Sequence, residues 1–160
     1  MDIKEVKYNF FDHEPHYKFE FRLYIKHPCI SLATIENHIP LPISNGWSVG
    51  SKRTNIHGEL IGNIKNETYW NYREYIENRR DFFNYSIIFL SELIEKYKLD
   101  HFFKEISSTQ GEIHLVINLF KDTNIGDLIS QDQMFFLIKH NINLAIEYFP
   151  GHNLMSKIDE

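Results

Sequence analysis

Cysteine is almost absent from this chain. The single Cys29 among 160 residues cannot close an internal disulfide, which excludes a disulfide-stapled secreted scaffold. Glycine (7) and proline (5) are sparse, so collagen-like and linker-rich architectures drop out. Alanine occurs twice against 22 isoleucines and 14 asparagines, a bias toward A/T-rich codons that bears on no mechanism. The longest apolar stretch, FFNYSIIFL, has nine residues and is interrupted by Asn84 and Ser86. That falls short of the roughly 20 residues a membrane-spanning helix needs. The N-terminal MDIKEVKYNFFDHEP carries Asp2 and Glu5 and has no apolar run of signal-peptide length. These absences predict a cytoplasmic protein with no membrane contact.

What is present suits one folded domain. Hydrophobic residues make up 42% and aromatics 15%, too much apolar content for a disordered chain. The chain is long enough to bury a core without staples. The net charge is −5, and it is uneven. Residues 1–80 hold 11 Lys+Arg against 10 Asp+Glu, net +1, while residues 81–160 hold 6 against 12, net −6. A dedicated nucleic-acid binder would show a basic face. An acidic half fits a basic partner, although such an excess ordinarily serves as a solvated surface.

Hydrophobic periodicity predicts the elements. Residues 17–26 alternate, with Tyr17, Phe19, Phe21, Leu23 and Ile25 on one side and Lys18, Glu20, Arg22 and Lys26 on the other, a half-buried strand. Ser31 caps a short helix that Pro40 and Pro42 stop. Asn45-Gly46 reads as a turn within a glycine-rich loop. Residues 67–76 read as a strand whose buried face is ambiguous. Asp81 opens the strongest helix, with Phe82, Phe83, Ile87, Leu90, Leu93, Ile94 and Tyr97 at helical spacing. A shorter helix follows in LDHFFKEIS, then a strand at 113–120. Ser130 caps a helix through His140, with Met134, Phe135, Leu137 and Ile138 as its expected buried face. A last strand, 142–149, points Ile142, Leu144, Ile146 and Tyr148 inward, and the tail from 151 is expected to fray. The expected fold is therefore a single α+β domain over 1–160 with an ordered core at about 17–149. It is a two-layer sandwich, a mostly antiparallel or mixed sheet of four to five strands with helices on one face.

Catalytic and metal signatures are missing. The nine histidines form no HxxxH or HExxH pattern, and one cysteine makes no cysteine-based zinc set. Cys29 beside His27, just before a helix, is the least poor candidate for a nucleophile, but lone cysteines are ordinarily small buried hydrophobes. The glycines at 46, 50, 58 and 62 match no phosphate-binding loop. No catalytic residue, metal or cofactor is expected. Trp47, Trp70 and Arg73, within a stretch interleaving aromatics and cations, form an alternative ligand surface for a small molecule or nucleic acid. The ordinary alternative is that these aromatics pack and the cations stay solvated.

The ordered succession FEFRLYI, IPLPI, GWSVGSKR, the Tyr69-Trp70 pair, a long helix, GEIHLVINLF and LISQDQMFFLIKHNINLAIEYF resembles the bacterial domain-of-unknown-function family numbered 4279. The resemblance covers about residues 17–149 and implies an α+β fold in which Gly46, Gly50 and Trp70 carry weight. In size, composition and setting the chain also resembles immunity proteins of bacterial toxin systems, including contact-dependent growth inhibition. That resemblance implies a partner rather than a substrate: a toxin domain, expected to be a basic nuclease, with no direct nucleic-acid binding. Charge complementarity then places the binding acids among Glu92, Glu95, Asp100, Asp122, Asp127 and Asp132.

Overall fold

The strand with the clearest alternation sits at the centre of the sheet. In the computed structural model, which describes residues 18–120 and 126–149, β1 (Lys18–His27) pairs antiparallel with β3 (Thr68–Glu77) on one side and β4 (Glu112–Phe120) on the other. The short β2 (Asn45–Trp47) lies antiparallel on β3, and β5 (Ile142–Phe149) lies parallel on β4. The order is β2-β3-β1-β4-β5. Four helices complete the order of elements: α1 (Leu32–His38), α2 (Phe82–Tyr97), α3 (Asp100–Ser108) and α4 (Gln131–Lys139). Strands β1 to β4, with α1 and α2, have the connectivity of a split βαβ sandwich. The α4–β5 unit extends that sheet past β4.

Packing explains the layering. Phe19, Phe21, Leu23 and Ile25 from β1 and Ile113, Leu115, Ile117 and Leu119 from β4 share one core cluster with Trp70. The same cluster takes Ile35 from α1, Leu90 and Leu93 from α2, Phe103 and Ile106 from α3, and Leu137 from α4. All four helices therefore bury their apolar residues against a single sheet face, as the one-sided alternation of β1 requires. Leu23, Leu90 and Leu115 are fully buried.

Local chemistry sets the helix ends. The Ser31 hydroxyl accepts from the Thr34 amide at 3.2 Å. Ser130 and Gln133 form a reciprocal capping box at the start of α4. Asp81 precedes α2 but does not cap it, because its carboxylate is held by Arg79 at 2.9 and 2.7 Å. The open Phe83 amide donates instead to Asp127, 44 residues away, at 2.7 Å.

Three expectations are corrected. Asn45-Gly46 is not a turn but the start of β2, with Asn45 opposite Asn71 and Gly46 opposite Trp70. The predicted inner face of α4 is out of phase. Leu137 is buried, but Met134, Phe135 and Ile138 are exposed, and Phe136 and His140 turn inward in their place. Two overlapping apolar stripes run along this helix, and periodicity alone cannot choose between them. On β5, Ile142 is buried and Leu144 half-buried, but Ile146 and Tyr148 are about half exposed. This is the edge strand, and the nine residues of α4 span about 14 Å, too short to cover a strand of about 26 Å. The expected tail from 151 and Asp122 lie outside the described residues.

Candidate functional site

The second face of the sheet carries no helix among the described residues. It carries Arg22, Tyr24 and Lys26 of β1, Tyr69, Asn71, Arg73 and Tyr75 of β3, Trp47 of β2, and His114, Val116, Asn118 and Phe120 of β4, of which Tyr69, Asn71, Val116 and Asn118 are buried. The strand registers set their rows: Trp47 opposite Tyr69, Tyr24 between Asn71 and His114, and Arg22 between Arg73 and Val116. Period-two alternation sends this set away from the core.

An aromatic ladder crosses one end. Trp47 stacks on Tyr69 with ring centroids 4.7 Å apart, and Tyr24 stacks on His114 at 4.5 Å. Tyr69 and Tyr24 join the two pairs at 5.7 Å. The two stacked pairs match the roughly 4.8 Å between neighbouring strands, whereas the Tyr24–Tyr69 contact is tilted by 40°. The outer face of Trp47 is covered by the Lys65 ammonium at 3.6 Å, and Arg22 and Lys26 lie over Tyr24 at 5.4 and 5.7 Å. The ring faces are therefore largely occupied within the protein. Base stacking on single strands needs free faces, whereas this surface offers ring edges, hydroxyls and cations.

Polar links lock the middle of the face. Arg22 donates from Nε to Asn71 at 3.0 Å and from Nη2 to the Tyr69 hydroxyl at 2.7 Å. Burial works against its charge, but the Tyr69 bond and the carboxylates of Glu20 and Glu147 outweigh it and raise its pKa. Beyond Arg22, Asn118 donates to the buried Glu20 carboxylate at 2.7 Å. A hydrogen bond to Glu20, reinforced by burial, raises the Tyr75 phenol above its ordinary value.

The sequence candidates separate cleanly. Trp47 and Arg73 both lie on this face, Trp47 half-buried and Arg73 exposed. Trp70 does not: it is fully buried on the helix side, so its part in a ligand surface is withdrawn. The acids do not form one patch. Glu92 and Glu95 are exposed on α2. Asp127 is a helix cap at the N-terminal end of α2, accepting from Phe83 and Leu128. Asp100 lies past the C-terminal end of α2 and pairs with His140 at 3.3 Å. The 16 residues of α2 separate these two acids by about 24 Å. Asp132 is exposed in the first turn of α4. Sequence reasoning passed over Tyr24, His114, Tyr75, Glu20 and Asn118. Each sat on a strand's polar side, and only the register brings them together.

His27 and Cys29 do not make a nucleophile–base pair. The Nδ1 atom of His27 accepts from the amides of Cys29 and Ile30 at 3.0 and 2.8 Å, and Nε2 meets the Thr109 hydroxyl at 2.8 Å. Both ring nitrogens are used, and the Cys29 side chain is exposed. A cleft of about 390 Å³ opens at this end, between Lys26, His27, Glu67, Gln110 and Glu112. Among the described residues no three His, Cys, Asp or Glu side chains gather to hold a metal, and no helix is long and apolar enough to cross a membrane. No family model, curated protein or solved structure matches this chain.

Proposed function

We propose that this chain is a protein-binding module of the immunity type, which neutralises a bacterial toxin domain by docking on it through the helix-free sheet face. One observation carries the reading. That face holds Trp47, Tyr24, Arg22, Arg73 and Tyr75 together on a rigid sheet, and Trp, Tyr and Arg are the residue types that dominate protein-interface hot spots. The occupied ring faces of the ladder favour a protein over a stacked nucleic acid. The net charge of −5 speeds capture of a basic partner such as a nuclease domain.

The test is co-expression with bacterial toxin domains of the basic nuclease class, beginning with any that is encoded beside this gene. Growth should be restored, and the two chains should elute as one complex in size-exclusion chromatography. Undiminished growth arrest, with two separate peaks, would refute the proposal.

A further inference from the structure

We infer that Glu20 and Asn118 form a socket for one arginine guanidinium presented by the partner. This inference rests on the binding role proposed above and names the chemistry that the same face recognises.

Both side chains are buried, with 4% of Glu20 and 5% of Asn118 exposed. Asn118 donates through Nδ2 to Glu20 Oε1 at 2.7 Å. Its Oδ1 has no hydrogen-bond partner among the described residues. Turning the amide over would set its oxygen against a carboxylate oxygen, so the orientation is dictated by Glu20. A buried acceptor left open is uncommon and costly. Here it lies beside a carboxylate, and both groups accept from the same kind of donor. The register continues the row: Tyr75, Glu20, Asn118 and Glu147 are consecutive across four strands, so Asn118 stands between two acidic residues.

The walls are aromatic. Tyr75 on β3 and Phe120 on β4 have ring centroids 6.3 Å apart, although β1 runs between their strands. Two strand spacings are about 9.6 Å, so both rings lean over β1 where Glu20 sits. Tyr75, 53% exposed, also donates its hydroxyl to Glu20, so an entering guanidinium takes the place of that bond. A planar guanidinium can address a carboxylate and an amide oxygen together while its face lies on a ring. An ammonium has three donors but lacks the planar fork that fits this pair side by side. The protein's own nearby cations keep other hydrogen-bond partners: Arg22 donates to Asn71 and Tyr69 while Glu20 still stabilises its charge, Lys18 pairs with Glu77 at 2.5 Å, and Arg73 bonds the Tyr75 side chain.

The experiment titrates the full chain with N-acetyl-arginine amide and follows the Asn118 side-chain NH2 resonance by NMR. The neutral isostere, N-acetyl-citrulline amide, is the control. Saturable shifts with the arginine compound are expected, about tenfold weaker with citrulline and about tenfold weaker in the isosteric Glu20→Gln variant. Tyr75→Phe, which keeps the ring and frees Glu20 from the Tyr75 hydroxyl, should bind more tightly than the unmodified chain. Absence of arginine binding in both the unmodified chain and Tyr75→Phe, or equal binding of citrulline, overturns the socket. The probe needs no toxin, so the two proposals fail separately. Arginine binding without toxin neutralisation would leave the socket and remove the immunity reading, and the converse result would do the reverse.

Discussion

His27 shows what one side chain does for the fold. Its Nδ1 accepts two backbone amides at the exit of β1, which requires the proton on Nε2, and that proton goes to Thr109 just past α3. The ring thus ties the β1–α1 junction to the end of α3. It must stay neutral, and burial holds its pKa below the ordinary value, against a smaller opposing pull from Glu105. The unfolded chain then binds a proton that the folded chain resists. Stability is fully present above about pH 6.5, the unfolded histidine value, and is lost as pH falls below it toward the lowered folded value. His140, also lowered by burial, acts in the same direction. His27→Gln should cost about 1–3 kcal/mol, and urea melts at pH 7 and pH 5 should show a smaller difference than in the unmodified chain. An unchanged difference would mean that His27 titrates alike in both states. The sequence brought His27 and Cys29 together as a conceivable pair. It could not show that both imidazole nitrogens were already taken, because Thr109 is 82 positions away.

At the scale of elements, alternation and capping signals were legible and phase was not. The β1 pattern predicted a half-buried strand, and β1 is one. Ser31 and Ser130 both cap as read. The register of α4 failed because Phe136 and Leu137 adjoin a second apolar stripe, and only the neighbouring sheet decides which stripe is buried. The cap on α2 failed for a different reason: Asp81 is the nearer residue, but Arg79 holds it, and long-range Asp127 takes the position. Gly46 illustrates a residue whose role needs three dimensions. A Cβ there would lie 2.9 Å from the Tyr69 carbonyl oxygen and 3.1 Å from Leu32 Cδ1, and would also meet Ile43. The glycine permits β2 to sit against β3, where a turn was expected. Gly46→Ala should therefore lose about 1–3 kcal/mol by overpacking and loosen β2. Gly50 differs, with open space but a φ of +78°, so Gly50→Ala costs only the backbone strain of about 1–2 kcal/mol. Denaturation midpoints, together with amide exchange at Trp47, distinguish the two. Slowed or unchanged exchange at Trp47 in Gly46→Ala would contradict the close-approach account.

The whole molecule sets the two candidate binding regions on opposite sides. The acids Glu92 and Glu95 lie on the outward face of α2, whose inner face packs on the sheet. Trp47 and Arg73 lie on the sheet's other face. One interface of standard size, about 800 Å² per partner, cannot include both. Charge asymmetry was legible from the sequence, but it recorded a count of acids and not a patch. Tertiary structure then assigned Asp127 to a cap and Asp100 to His140. Acids remote from the contact still steer encounter through the field of the whole molecule. Reversing Glu92 and Glu95 to Lys changes the net charge from −5 to −1, two reversals of two units each. It should lower the association rate with a basic toxin domain at low salt and leave dissociation unchanged. Arg73→Glu and Trp47→Ala, taken singly, should do the opposite. Each removes a contact of hot-spot type, about 2 kcal/mol or roughly thirtyfold in affinity, seen mainly as faster dissociation. Association and dissociation rates at low and moderate salt, with far-UV circular dichroism to confirm folding, decide between the two faces. If the α2 reversals speed dissociation while Arg73→Glu does not, the toxin sits on the helical layer and the sheet face has another role.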